Sequence, residues 1–275
     1  MNRVWIPMAG IAAAAVLAAG AHISVATVTA QGGGTITGHV KLTGTPPPNA
    51  PIRMGADPNC LKINAGKRVV QETVVTAADG GLANVFVNLK GTFANAAGGN
   101  TAPAVIHQQG CVYLPRVLGA RVGQLAHIRN DDATLHNIHS LSKTKGNDFN
   151  TGQPQAGMVF DFTPKTEEVM LHFKCDVHSW MTGYLGILPH PYYAVSDATG
   201  SFKIAGVPAG RQTIQVWHEL YGPLTQTVDV KAGGTTTVDF TYTGTEKAGP
   251  PAGFAMQEVT LPALALALAL GPATR

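Results

Sequence analysis

The residues best suited to chemistry lie in one short stretch of the 275-residue chain, LHFKCDVHSWMTGYLGIL. Cys175, His178 and Met181 follow one another there in the spacing Cys-x-x-His-x-x-Met. A thiolate, an imidazole and a thioether are soft ligands, and they select copper over magnesium or calcium. A second imidazole would complete a trigonal His₂Cys copper site with a weak axial methionine.

The elements around this stretch are predicted to be strands. From Val169 to Cys175 the residues alternate, which places Val169, Leu171, Phe173 and Cys175 on the buried face of a strand that ends at the thiol. An apolar strand is expected to resume at 184–188. The three soft donors therefore share one loop between two strands.

A second imidazole is expected from the stretch NDDATLHNIHS. Residues 124–130 are predicted to form one strand, 130–132 a turn and 135–141 the next strand. His136 and His139 compete for the role of ligand. Their separation is odd, so they face opposite sides of an extended strand and only one can point at the metal. Nothing local in the pattern decides between them.

Residues 101–190 resemble a cupredoxin, a small blue copper protein of the plastocyanin and amicyanin type. The resemblance rests on the His-Asn pair at His136 and Asn137 and on the ligand loop Cys-x-x-His-x-x-Met of the amicyanin subgroup. It implies a Greek-key sandwich that holds one type 1 copper, with the ligands His136, Cys175, His178 and Met181. It also implies that Asn137 hydrogen-bonds to the ligand loop. We expect His178, on the loop, to be the more exposed imidazole and the route for electrons.

A second unit is indicated by the stretch after residue 190, where short strands alternate with turns. Residues 191–245 resemble the transthyretin-like β-sandwich of the carboxypeptidase regulatory-like family, through Asp197, Gly200, Phe202, Pro208 and Ile214. This segment is short for a whole sandwich. Residues 31–100 resemble the opening strands of the same domain, so we expect one sandwich built from 31–100 and 191–245, with the cupredoxin inserted between them. Two consecutive domains, or an extended cupredoxin, remain open.

The chain has three cysteines, and Cys60 and Cys111 lie outside the ligand loop. If the protein is exported, an oxidising compartment permits a disulfide between them. Such a bond would tie the two units together, with Cys60 contributed by a long Pro-rich loop. The alternative is two unpaired thiols.

The two ends of the chain have the composition of targeting and tail segments. Residues 1–30 resemble a signal peptide, with Arg3, an apolar run over 6–21 and small residues at 28–30; an uncleaved anchor is the alternative. Residues 246–275 are a linker followed by an Ala/Leu-rich tail that is too short to span a bilayer as a helix. We expect a periplasmic or extracellular protein that touches a membrane only through these ends.

Composition bounds the remaining possibilities. With 32 Gly, 18 Pro and 45% hydrophobic residues, the chain favours strands and turns around a core, so we expect an all-β protein. The net charge is +3 without a run of Lys or Arg, which offers no surface for nucleic acid. No catalytic triad or carboxylate pair argues for a hydrolase.

Two functions fit these observations. The first is an exported electron carrier, not an enzyme, that exchanges single electrons with periplasmic redox proteins and takes no small-molecule substrate. The alternative is a copper-binding or partner-binding β-sandwich module without electron transfer. Zinc is a weaker choice of metal, since methionine is a poor zinc ligand. We expect His107, His127, His172, His190 and His218 to be surface or satisfied side chains, and Met158 to be core.

Overall fold

The computed structural model describes residues 32–93 and 102–248. The expected signal peptide at 1–30 and most of the expected tail lie outside the described residues. Within the described residues, no helix is long and apolar enough to cross a membrane.

The regular secondary structure of the described residues is almost entirely strand, which confirms the all-β prediction. Before residue 100 it forms β1 (Gly34–Leu42), a 3₁₀ turn (Met54–Ala56), a short helix α1 (Pro58–Ile63) and β2 (Phe86–Lys90). From residue 102 to 190 it forms β3 (Ala104–Gln109), β4 (Val112–Leu114), β5 (Val117–Arg121), β6 (Ala126–Asn130), β7 (His136–Ser140), β8 (Asn150–Gln153), β9 (Val159–Phe162), β10 (Glu168–Lys174) and β11 (Thr182–Leu188). The last strands are β12 (Tyr193–Val195), β13 (Ser201–Val207), β14 (Gly210–His218), β15 (Gly222–Val230), β16 (Thr235–Thr237) and β17 (Phe240–Tyr242).

One pair of sheets combines strands from both ends of the chain. The first sheet has the order β13-β1-β16, with β17 also on β1, and the second has the order β12-β2-β14-β15. Thus β1 and β2 pair only with strands that follow residue 190. The strands between β2 and β12 take no part in either of these two sheets.

The other pair of sheets is made wholly of the strands between β2 and β12. Their orders are β5-β11-β10-β7-β8 and β4-β3-β6-β9. Both sheets are mixed, since β5 lies parallel to β11 and β3 parallel to β6. Parallel neighbours within a sheet require crossover connections, in keeping with a Greek-key sandwich. The ligand loop joins β10 to β11 in the centre of the larger sheet.

The sheets contact each other face to face in three apolar layers. One core fills the sandwich of β1 and β2, and another fills the sandwich of β3 to β11. A third layer joins the two sandwiches: Phe86 of β2 packs with Val117 and Leu188 of the larger sheet. A Cβ at Gly186 would lie 2.2 Å from the Phe86 ring, so glycine is required for this close approach.

Two local expectations were wrong. Met170 is buried where the alternation placed it outward, because the pairing of β10 with β11 shifts register between Glu168 and Leu171 and carries Met170 into the layer between the sandwiches. Cys60 lies in α1 and not in a loop, because Asp57 caps the helix and Pro58 begins it.

Candidate metal centre

Three buried donor atoms meet at the end of β10. His136 begins β7, and Cys175 and His178 lie in the loop that follows β10. The Nδ1 atoms of the two imidazoles are 3.0 Å apart, and the Cys175 sulfur lies 3.7 Å from Nδ1 of His178. All three side chains are at most 1% exposed. The structure thus brings together three of the four predicted ligands around one point.

Met181 closes the same loop. The amide of Cys175 donates to the Met181 carbonyl at 3.1 Å, and the amide of Met181 donates to the His178 carbonyl at 2.9 Å. The Met181 side chain is buried in the same apolar cluster as Cys175. These bonds fix the thiol, the imidazole and the thioether in one tight turn.

Asn137 holds the ligand loop from the neighbouring strand. Its side-chain oxygen accepts a hydrogen bond from the Asp176 amide at 3.0 Å, directly after the thiol. This is the contact that the cupredoxin resemblance implied. His139, two residues further along β7, lies on the same face as Asn137, contacts the Asp176 carboxylate at 2.9 Å and is partly exposed. His136 lies on the opposite face of β7, inside the site, so the strand separates the two histidines.

The surroundings favour the ionised thiol. Burial alone would raise the pKa of Cys175, but the hydrogen bond from His136 and the backbone amides of the loop outweigh it and lower that pKa. Burial would likewise lower the pKa of His136, yet its bonds to Asp132 and Cys175 raise it. An imidazole and a thiol that support each other's charged forms suit a site in which the thiolate is the ligand.

Two carboxylates that contact the histidines at Nε2 were not predicted from the sequence. Asp132 Oδ2 lies 2.8 Å from Nε2 of His136, and Asp57 Oδ2 lies 2.8 Å from Nε2 of His178. Asp132 is four residues before His136, so that contact could have been suspected from spacing. Nothing in the sequence signalled Asp57, because α1 reaches the site only through tertiary packing.

Cys60 and Cys111 form a disulfide in the structure, at the same edge of the site. The Cys60 sulfur lies 3.6 Å from Nε2 of His178. The carboxylates, these two cysteines and the histidines lie close enough together to suggest further metal clusters. Sulfurs bonded to each other are not thiolate donors, so His136, Cys175 and His178 remain the cluster with a free thiol.

The expectation that His178 is an exposed imidazole was wrong. It is 1% exposed, because α1 and Trp180 cover it. The Trp180 ring lies 5.0 Å from the His178 ring, and its N–H donates to the Cys111 carbonyl at 2.9 Å. Trp180 therefore packs over the site and against the disulfide.

The other candidates lie outside the site. His107 and His127 contact carboxylates, at 2.5 Å from Asp131 and 2.7 Å from Asp161, while His190 and His218 are buried elsewhere. The expectation for Met158 was wrong, since it is 38% exposed in a turn before β9 rather than in the core.

One family model matches the segment after the cupredoxin-like stretch. Residues 188–243 match the family model of the carboxypeptidase regulatory-like domain, which confirms the resemblance seen after residue 190. No curated protein matches the chain.

Solved structures similar to this chain include copper proteins. A copper-containing nitrite reductase from Thermus scotoductus is 18% identical, with a TM-score of 0.30, over 36% of this chain and 25% of that one. This chain thus spans a quarter of the reductase. A purple cupredoxin from Nitrosopumilus maritimus is 25% identical, with a TM-score of 0.27, over 30% and 98% of the chains. An amicyanin variant in its Cu(I) form is 18% identical, with a TM-score of 0.28, over 37% and 97%.

Proposed function

We propose that this chain is an exported type 1 copper protein that carries single electrons between redox partners. The observation that carries the proposal is the convergence of two imidazole Nδ1 atoms and one free thiol sulfur, all from buried side chains. Two imidazoles and a thiolate are the strong ligands of a blue copper site, and Met181 in the same loop supplies the weak axial one.

The donor set fits copper better than zinc. A structural zinc site is closed by four strong ligands, usually cysteine and histidine. Among the described residues, the cluster around Cys175 offers one thiol and two imidazoles, and the further soft donor in the ligand loop is the thioether of Met181. A thioether suits Cu(I), the soft state of a one-electron couple.

The chain's own residues hold this donor set in place. Asn137 fixes the loop at Asp176, and the amide of His178 donates to the Cys175 sulfur at 3.4 Å. Copper bound here would supply a Cu(I)/Cu(II) couple. A rigid, buried set of ligands resists rearrangement between the two states, which lowers the cost of electron transfer, and it excludes water that could occupy an open coordination position.

The cellular setting is part of the proposal. The signal-peptide pattern at 1–30 supports export, and the Cys60–Cys111 disulfide suits an oxidising compartment. The partners would be redox proteins of that compartment. We further propose that residues 101–190 form a cupredoxin domain inserted into a sandwich built from 31–100 and 191–245, as the strand pairing of β1 and β2 supports.

The experiment is spectroscopic and electrochemical. The purified protein is loaded with Cu(II), its visible spectrum is recorded, and its couple is measured by voltammetry. An intense thiolate charge-transfer band with a reversible one-electron wave supports the proposal. Tightly bound copper without a band or reversible wave contradicts it.

A second function is favoured by the closure of the site. Because His178 is buried beside Asp57, Cys60 and Trp180, its imidazole is not exposed to a docking partner. This closure would also suit a module that holds copper without passing electrons. Electron exchange with a small soluble redox mediator separates the two: rapid exchange favours the carrier, and negligible exchange by a protein that still shows the blue band favours the module.

A further inference from the structure

The two ligand histidines share one arrangement that the copper proposal does not require. Each imidazole turns Nδ1 toward Cys175 and Nε2 toward an aspartate, at 2.8 Å in both cases. The aspartates come from different parts of the chain, Asp132 from the turn before β7 and Asp57 from the segment before α1. This inference rests on the proposed copper function and concerns these two carboxylates.

Asp57 is fixed on both of its oxygens. Oδ1 caps α1 by accepting the amides of Asn59 at 2.7 Å and Cys60 at 3.1 Å, which leaves Oδ2 for His178. The side chain is 18% exposed. With two backbone amides donating to Oδ1, the side chain acts as a hydrogen-bond acceptor.

Asp132 is likewise fixed by backbone amides, here from the segment that carries Cys111, the other cysteine of the disulfide. Oδ1 accepts the Gly110 amide at 2.8 Å, and Oδ2 accepts the Cys111 amide at 2.7 Å. Both amides belong to the tight turn between β3 and β4, where Gly110 and Cys111 have positive φ of 66° and 57°. The disulfide therefore joins two backbone segments, each of which anchors one carboxylate.

These bonds fix the tautomer of each imidazole in its neutral, metal-binding form. An ionised carboxylate only accepts, and a neutral imidazole has one N–H. In that form the hydrogen atom of each ring lies on Nε2, which leaves a lone pair on each Nδ1; only a protonated ring also carries a hydrogen on Nδ1. Two lone pairs 3.0 Å apart, beside a thiol, repel each other unless they share a cation.

We propose that Asp57 and Asp132 are positioning residues for the copper ligands. Each accepts the Nε2–H of one histidine, presents Nδ1 to the metal, and adds negative charge that stabilises Cu(II) relative to Cu(I). Partners of this kind behind a metal-bound histidine raise its basicity as a ligand, and their loss costs about 10- to 100-fold in metal affinity.

The test uses Asp57→Asn in the full chain. Asparagine keeps Oδ1 as the helix cap, but its amide nitrogen replaces Oδ2 and cannot accept from His178. We expect Cu(II) affinity to fall about tenfold or more with a smaller change for Cu(I). Each tenfold difference raises the reduction potential by about 59 mV for one electron.

The matched control is Asp176→Asn. It removes the same charge directly after Cys175, but Asp176 bonds to His139 and Lys174 rather than to a ligand imidazole. Copper-free samples of all variants are compared by ¹⁵N NMR of the histidine rings. In the parent we expect Nε2–H on both His136 and His178, and in Asp57→Asn we expect the proton of His178 to redistribute toward Nδ1.

The outcomes separate this inference from the function it rests on. If the parent shows no blue band, the proposed function fails. If the band is present and Asp57→Asn raises the potential more than Asp176→Asn and moves the His178 proton, the inference is supported. Equal shifts in both variants, or an unchanged His178 tautomer, overturn the inference and leave the copper site standing. Asp132→Asn, which also disturbs the Cys111 turn, is expected to act in the same direction.

Discussion

Removing the Cys60–Cys111 disulfide should both destabilise the protein and uncover the site. The two cysteines are 51 residues apart in sequence, and a closed loop of that length restricts the unfolded chain by about 4 kcal/mol in the chain-entropy model. Both cysteines are fully buried. We therefore expect Cys60→Ala/Cys111→Ala to lower the free energy of unfolding by about 4 kcal/mol.

The assay is urea unfolding of the copper-free parent and the double variant, followed by circular dichroism and by Trp fluorescence. The parent treated with a reductant that opens the disulfide is the matched control, because it retains both sulfur atoms. It separates loss of the cross-link from loss of packing. We expect reduced parent and double variant to unfold at similar urea concentrations, well below the oxidised parent.

The same change should open the cover over His178. Asp57, the N-cap of α1, and Cys60, within α1, both contact His178. The disulfide links α1 covalently to the turn at Cys111. Extraction of copper by an external chelator should then become faster in the double variant. A loss of less than about 1 kcal/mol together with an unchanged extraction rate would refute the reasoning, since it would show that packing alone holds α1 in place.

Three further changes test other parts of the structure. Arg116→Gln breaks the buried ion pair with Glu219, and the unpaired carboxylate should lower the free energy of unfolding in urea by about 3–5 kcal/mol. Replacing both residues by apolar ones should lower it less, and an equal loss in the two variants would contradict the role of the pair. Gly186→Ala forces a Cβ against Phe86 and should cost about 1–3 kcal/mol, with Phe86→Leu as the compensating change; full stability in the single variant would contradict this contact. Burial lowers the pKa of His218 to about 4. The unfolded chain therefore binds more protons than the folded protein as the pH falls from about 6.5 to 4, and up to about 3 kcal/mol of stability should be lost over that range. In parallel unfolding curves, His218→Phe should remove this part of the pH dependence, and an unchanged dependence would contradict the burial of a neutral imidazole.

The ligand loop could be predicted from the sequence because the patterns that indicate it are local. Strand alternation placed Cys175 on the buried face, and the Cys-x-x-His-x-x-Met spacing placed three donors in one turn. The choice of His136 over His139 needed the cupredoxin resemblance, since the odd separation told only that they point apart. Asn137 likewise came from the resemblance, and its bond to Asp176 is present in the structure.

The cover over the site could not be predicted, because it depends on contacts between distant segments. Asp57 lies 121 residues from His178 in sequence, and α1 is a six-residue helix whose place is fixed by packing and a disulfide rather than by its own pattern. The expectation that the His178 imidazole is exposed was wrong for that reason. The burial of Met170 could not be predicted either, because an alternating sequence pattern does not indicate a register shift in β10.

The most direct test of the copper site is the visible spectrum of the Cu(II)-loaded protein beside Cys175→Ala and His139→Ala. The account predicts an intense thiolate charge-transfer band in the parent, its loss in Cys175→Ala, and its retention in His139→Ala, whose imidazole faces Asp176 on the other side of β7. A parent protein that binds Cu(II) without this band, or a band that disappears in His139→Ala, would contradict the account.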